Sequence, residues 1–158
     1  MMHITVGIAD YAVGDDELTL VTRGLGSCVA IALHSPASRV GALAHVLLPN
    51  AALSGDGSPA KCAATAVPVM LRRMRELGAG DDIEARIIGG ASMFPGLLSH
   101  GAVSLGTRNV TAARSALAAA SLPVVAEDVG GGHGRSVYFD VSRGQVLVRS
   151  LVAGDVEL

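Results

Sequence analysis

The chain has 158 residues, a size that suits one folded domain over 1–158. Hydrophobic residues make up 50% of it and charged residues 16%, which excludes disorder as its general state. A net charge of -2, with the charges scattered, excludes the basic footprint of a nucleic-acid binder. No apolar run reaches the ~18–20 residues that span a bilayer. Met1-Met2-His3-Ile4-Thr5 lacks the charged start and apolar core of a signal peptide. The expectation is a cytoplasmic protein without membrane insertion.

Ile4–Ile8 alternates apolar with small or polar residues and reads as a strand, as does Leu18–Thr22 after the acidic turn Gly14-Asp15-Asp16. Arg23-Gly24-Leu25-Gly26-Ser27 is a loop too rich in glycine for either regular element. The apolar runs Cys28–Leu33 and Val40–Leu48 flank His34-Ser35-Pro36-Ala37-Ser38, a turn signal, and together predict a hairpin. Asn50–Pro59 reads as a loop. Helical spacing then joins Val67, Met70, Leu71, Met74 and Leu77, with Gly78 as the stop. Pro68 belongs either to the first turn of that helix or to a kink in one starting near Lys61. Ile83–Ile88 is a strand ending in Gly89-Gly90, and Asn109 is read as the cap of a second helix reaching about Ala120. Strands follow at Val124–Ala126, Ser136–Val141 and Gln145–Val152, the last two joined by Ser142-Arg143-Gly144. The class is α+β: mixed, mostly antiparallel strands covered by two main helices.

Cys28 opens a strand directly after Gly24-Leu25-Gly26-Ser27. A nucleophile there has free backbone N–H groups around it, as an oxyanion requires, which puts Gly26 and Ser27 at the site. A thiol of ordinary pKa near ~8.5 is mostly neutral at pH 7 and needs a base. His45 fits. Residues 28 and 45 are equidistant from a turn centred between Pro36 and Ala37, and directly opposed residues share a face with Cβ atoms about 4.5–5.5 Å apart. A nearby base and free N–H groups would lower the Cys28 thiol pKa. Packing in an apolar strand is the competing reading of Cys28. His34 shares the face of His45 but, near the turn, is expected to be solvated, and Cys62 is expected to pack quietly at a helix start. No CxxC or HxxxH spacing marks a metal site. Asp128–Arg135, with Gly130-Gly131-Gly132, reads either as a substrate-lining or anion-holding loop or as a turn needing positive φ.

Leu25-Gly26-Ser27-Cys28-Val29-Ala30 followed by Ala44-His45-Val46-Leu47-Leu48-Pro49 resembles CheD, the chemoreceptor glutamine deamidase family of bacterial and archaeal chemotaxis. The resemblance continues through Gly89-Gly90-Ala91-Ser92-Met93-Phe94, Gly106-Thr107-Arg108-Asn109-Val110, Ala126-Glu127-Asp128-Val129-Gly130-Gly131, Gly134-Arg135 and Phe139-Asp140. It implies an α/β sandwich related to bacterial toxin deamidases and a site of Cys28 as nucleophile, His45 as base and Thr22 orienting the histidine. It implies no cofactor, chemotaxis receptors as protein substrate and the CheC phosphatase as partner. Glutamate methyl esters would give the same acyl-enzyme. The alternative is a non-catalytic adaptor that regulates CheC or the receptors. Lys61-Cys62-Ala63-Ala64 departs from the family's Arg-Tyr-x-Asp pattern, which bears on partner contacts and not on the dyad.

Overall fold

The structure is a computed structural model and describes residues 2–50, 57–93 and 103–158. The part of the Asn50–Pro59 loop at 51–56, and Phe94 of the resemblance motif, lie outside the described residues. The strands are β1 (Met2–Thr5), β2 (Tyr11–Asp15), β3 (Leu18–Leu25), β4 (Val29–Ser35), β5 (Val40–Val46), β6 (Glu84–Gly89), β7 (Val124–Val129), β8 (Arg135–Asp140), β9 (Gln145–Ser150) and β10 (Gly154–Glu157). Helix α1 (Ala63–Glu76) precedes β6 and α2 (Leu105–Ala119) precedes β7.

Two sheets result, in the orders β1-β3-β8-β9-β10 and β2-β5-β4-β6-β7. Pairing is antiparallel except for β1 with β3 and β6 with β7. The layers follow from side-chain size. In β4 the bulky Val29, Ile31 and Leu33 face α1 and α2, whereas Ala30 and Ala32, with Leu43 of β5, pack against Leu20 and Phe139 of the other sheet. Every residue of β4 and β5 is buried, because helices cover one face of their sheet and the second sheet covers the other. Met70 and Met74 of α1 and Leu117 of α2 are fully buried in the helix-side core; each such side chain contributes about 1.5–3 kcal/mol over leaving it exposed. The architecture is the expected strand-rich α+β sandwich.

Four local expectations are corrected. Strands β2 and β10 were not anticipated, since Gly14 and Gly154 interrupt short segments that pair only at sheet edges. The β4–β5 turn is centred between Ala37 and Ser38, because Arg39 adopts φ 53 and completes a four-residue loop; Ser35 pairs with Val40 and Ala30 with His45. Helix α2 begins at Leu105, where the Ser104 hydroxyl accepts from the Thr107 N–H at 3.1 Å; Asn109 lies inside the helix. His34 is 3% exposed and not solvated. Its Nε2–H donates to the Val141 carbonyl at 2.9 Å and its ring packs edge-on to Phe139, because β8 and its turn cover this end of the hairpin.

Candidate active site

The site forms where the two sheets face each other at the ends of β3, β4 and β5. The turn shift moves the register by two residues, an even number, so Cys28 and His45 keep a common face. They are diagonal neighbours, not directly opposed as expected: His45 faces Ala30, and Cys28 lies just outside β4. His45 Nε2 is buried and has no hydrogen-bond partner among the described residues.

His45 is held from both ends of its backbone. Its N–H donates to the Asp10 carbonyl at 3.0 Å, and its carbonyl accepts from the Ala9 N–H at 2.9 Å. The ring reaches across to Thr22, the last regularly paired residue of β3 before a bulge. Bulges of this kind re-aim the side chains beside them. Thr22 Oγ1 lies 2.7 Å from His45 Nδ1 and 2.7 Å from the Val6 carbonyl oxygen. A carbonyl only accepts, so the single hydroxyl proton goes to Val6. The hydroxyl must then accept from Nδ1–H. This fixes the tautomer: Nδ1 carries the proton and Nε2 presents a bare lone pair. The contact runs through the Thr22 side chain and not its backbone carbonyl.

Cys28 is fixed by its backbone. Its carbonyl accepts from the Gly90 N–H at 2.8 Å. Gly89 and Gly90 have φ of 107° and 68°, and a Cβ on Gly89 would stand 2.5 Å from that carbonyl oxygen. Only glycine fits such a turn. The Gly130-Gly131 loop buttresses it: the Gly130 N–H donates to Gly89 and the Ser92 N–H to Gly131, both at 2.9 Å. Gly130 and Gly131 have φ of 79° and 71°, which favours the turn reading. Arg135 beside them is 4% exposed and pairs with Asp128 at 3.2 Å, so its charge is already matched. Gly26 donates its N–H to the Gly24 carbonyl at 3.1 Å, so that amide is engaged. The N–H groups of Ser27 and Cys28 make no hydrogen bond among the described residues.

Burial sets the electrostatics. Cys28 is 8% exposed and His45 is 0% exposed. Desolvation pushes the Cys28 thiol above its ordinary pKa and the His45 imidazole below its own. The expected lowering of the thiol is therefore corrected: among the described residues no cation and no hydrogen bond offsets the cost of burying a thiolate. At neutral pH both partners are uncharged. Cys62 is buried at the N-terminus of α1, its Sγ 3.4 Å from Thr65 Oγ1 and apart from this site. Among the described residues no group of three or more His, Cys, Asp or Glu side chains is placed to hold a metal ion. No helix of the described residues is long and apolar enough to cross a membrane.

Asn109, which the sequence had placed at a helix cap, contacts the site instead. Its Nδ2 donates to the Ser27 carbonyl at 2.9 Å and to the Leu47 carbonyl at 3.2 Å. A polar residue at i−1 of the buried Val110 and i−4 of the buried Ala113, on the apolar face of α2, was the available signal.

Residues 47–150 match the family model described as CheD chemotactic sensory transduction. The chain belongs to the CheD family. It is 44% identical over 156 residues to the probable chemoreceptor glutamine deamidase CheD of Pyrococcus abyssi, covering 98% of this chain and 95% of that protein. The protein of the same name from Thermococcus kodakarensis is 42% identical over 157 residues, 98% and 97% of the two chains. Probable chemoreceptor glutamine deamidase CheD 2 of Geobacter metallireducens is 43% identical over 151 residues, 94% and 93%.

Proposed function

We propose that this chain is a protein-glutamine deamidase that converts glutamines of chemotaxis receptors to glutamate by acyl transfer through Cys28. The observation that carries the catalytic part is the locked His45 tautomer, with its bare Nε2 on the face that Cys28 shares. The names of the CheD relatives carry the substrate.

A neutral thiol and a neutral imidazole favour general-base attack over a standing ion pair. As Sγ bonds to the glutamine Cδ, the thiol proton passes to His45 Nε2 and the carbonyl electrons move onto oxygen. The N–H groups of Ser27 and Cys28, unpaired among the described residues, receive that oxyanion. Imidazolium then returns the proton to nitrogen as the C–N bond breaks, releasing ammonia and leaving a thioester. Water, deprotonated by His45 Nε2, then attacks the thioester; as the C–S bond breaks to give glutamate, the imidazolium proton passes to the Cys28 sulfur and restores the thiol. Thr22 keeps accepting from Nδ1–H throughout. As a neutral partner it stabilises the cation less than a carboxylate would, so the imidazolium remains acidic enough to protonate the leaving nitrogen.

A glutamate methyl ester would enter at the same thioester, so methylesterase activity belongs to the same proposal. A receptor substrate presented on cytoplasmic domains requires a cytoplasmic enzyme, and the core shared by the two sheets supports one deamidase domain over 1–158. The CheC phosphatase as partner rests on the family resemblance alone. Incubation with candidate receptor cytoplasmic domains, followed by peptide mass spectrometry, tests the reading. Gln-to-Glu conversion that disappears with Cys28→Ala is expected; conversion at the wild-type rate by Cys28→Ala refutes the catalytic reading and favours the adaptor.

A further inference from the structure

The β4–β5 ladder ends at the pair Val29–Val46. Beyond it the two strands part, since the N–H groups of Leu47 and Leu48 turn to the Lys61 carbonyl at 3.1 and 2.8 Å. The Ser27 and Leu47 carbonyls on the two departing strands are joined instead by the Asn109 carboxamide, at 2.9 and 3.2 Å. Its orientation follows from chemistry: a flipped amide would aim an oxygen at two carbonyl oxygens.

We propose that Asn109 is a positioning residue for acyl transfer, bridging the residue before Cys28 to the segment after His45 and so setting the approach of thiol to imidazole. This rests on the catalytic reading of Cys28 and His45. Because the two are diagonal neighbours with no hydrogen bond between them, nothing direct sets their separation. The strand ends set it, and Asn109 ties those ends together. Helix α2 is seated for the task by a close backbone approach, where a Cβ on Gly106 would collide with the Gly90 and Ala91 carbonyls. The Asn109 side chain is nearly fully buried, and among the described residues its Oδ1 has no partner. Leucine would fill the same space but take the donor from the Ser27 and Leu47 carbonyls, so what the amide adds to packing is the bridge.

The test compares Asn109→Ala, Asn109→Ser, His45→Ala and Leu117→Ala with the wild type. Two quantities are read: kcat and KM on a receptor fragment, and the pH profile of Cys28 alkylation by iodoacetamide. Leu117 is buried in the same helix, eight residues on from Asn109, and has no donor to offer either carbonyl, so its variant controls for lost stability. Asn109→Ala is expected to lower kcat roughly 100-fold, the cost of about 1 Å of misplacement, with KM little changed. Its alkylation profile should approach that of His45→Ala, while Leu117→Ala melts earlier but keeps the wild-type kcat and profile. A folded Asn109→Ala with wild-type kcat and profile overturns the proposal, as does an equal loss in Leu117→Ala. So does a wild-type profile already identical to that of His45→Ala, which would leave no coupling to position. If Asn109→Ala does not fold, Asn109→Ser decides: partial loss supports positioning and wild-type behaviour overturns it. If the wild type deamidates no receptor, the functional reading fails by itself, and the alkylation profiles still decide the role of Asn109.

Discussion

Thr22→Val removes one oxygen from the centre of the site and keeps nearly the same shape. Two groups lose their partner at once: the Val6 carbonyl and the His45 Nδ1–H, each now 2.7 Å from the hydroxyl. Thr22 and His45 are both fully buried, so water does not replace it. Each orphaned group costs about 1–3 kcal/mol, and the added methyl returns part of that. A net loss of about 3 kcal/mol corresponds to a fall in Tm of roughly 6–12 °C for a chain of this length. The catalytic effect is separate. Losing about 1–1.5 kcal/mol of preference for the Nδ1–H tautomer lets Nε2 carry the proton in most molecules, where it cannot act as a base. The expected fall in kcat is about tenfold from the tautomer and up to about 100-fold once the ring is free to turn. Thr22→Ser keeps the hydroxyl and should stay near the wild type in both respects. Nitrogen NMR of the His45 ring reads the tautomer directly, alongside kcat on a receptor fragment. A Thr22→Val enzyme that keeps both wild-type kcat and an Nδ1–H ring would refute the reasoning.

Cys28→Ala should abolish deamidation at a stability loss on the order of 1 kcal/mol, and in the native wild type iodoacetamide should label Cys28 before Cys62, because Cys28 is 8% exposed and Cys62 only 1%; preferential labelling of Cys62 would count against the assignment. Burial holds the imidazoles of His34 and His45 below their ordinary pKa, so below about pH 6.5 the unfolded chain binds more protons than the folded one. Stability should therefore fall with falling pH, by up to about 1.4 kcal/mol per pH unit for each imidazole, until the lowered folded pKa is passed. Urea unfolding at pH 7.5 and 5.5 checks the sign, and equal stability at both would contradict it. Gly90→Ala forces a side chain into φ 68°, against Val110 and 2.8 Å from the Gly106 carbonyl. It should cost at least about 1–3 kcal/mol and depress kcat by displacing the Cys28 carbonyl anchor, whereas unchanged Tm and kcat would show that α2 yields freely.

Features that depend on neighbours along the chain were legible before any fold was known. Alternation in Val29–Leu33 and Val40–Val46 sets a hairpin, and period two puts Cys28 and His45 on one face whatever even shift the turn introduces. Motif order carried the family. Tertiary structure decided what crosses between layers. Thr22 belongs to one sheet and His45 to the other, and their hydrogen bond exists only because the sheets stack with β3 over β5. The αL conformation of Arg39, which moved the turn centre, carries no strong signal in a residue other than glycine or asparagine. His34 is buried because β8 covers it, and Asn109 leaves its reading as a cap because α2 begins a turn earlier and lies over the ends of β4 and β5. Protonation was the least legible feature. A pKa follows from the solvent that a fold removes, and the same packing that brings Cys28 and His45 to one face also strips both of water, holding the thiol and the imidazole uncharged until a substrate arrives.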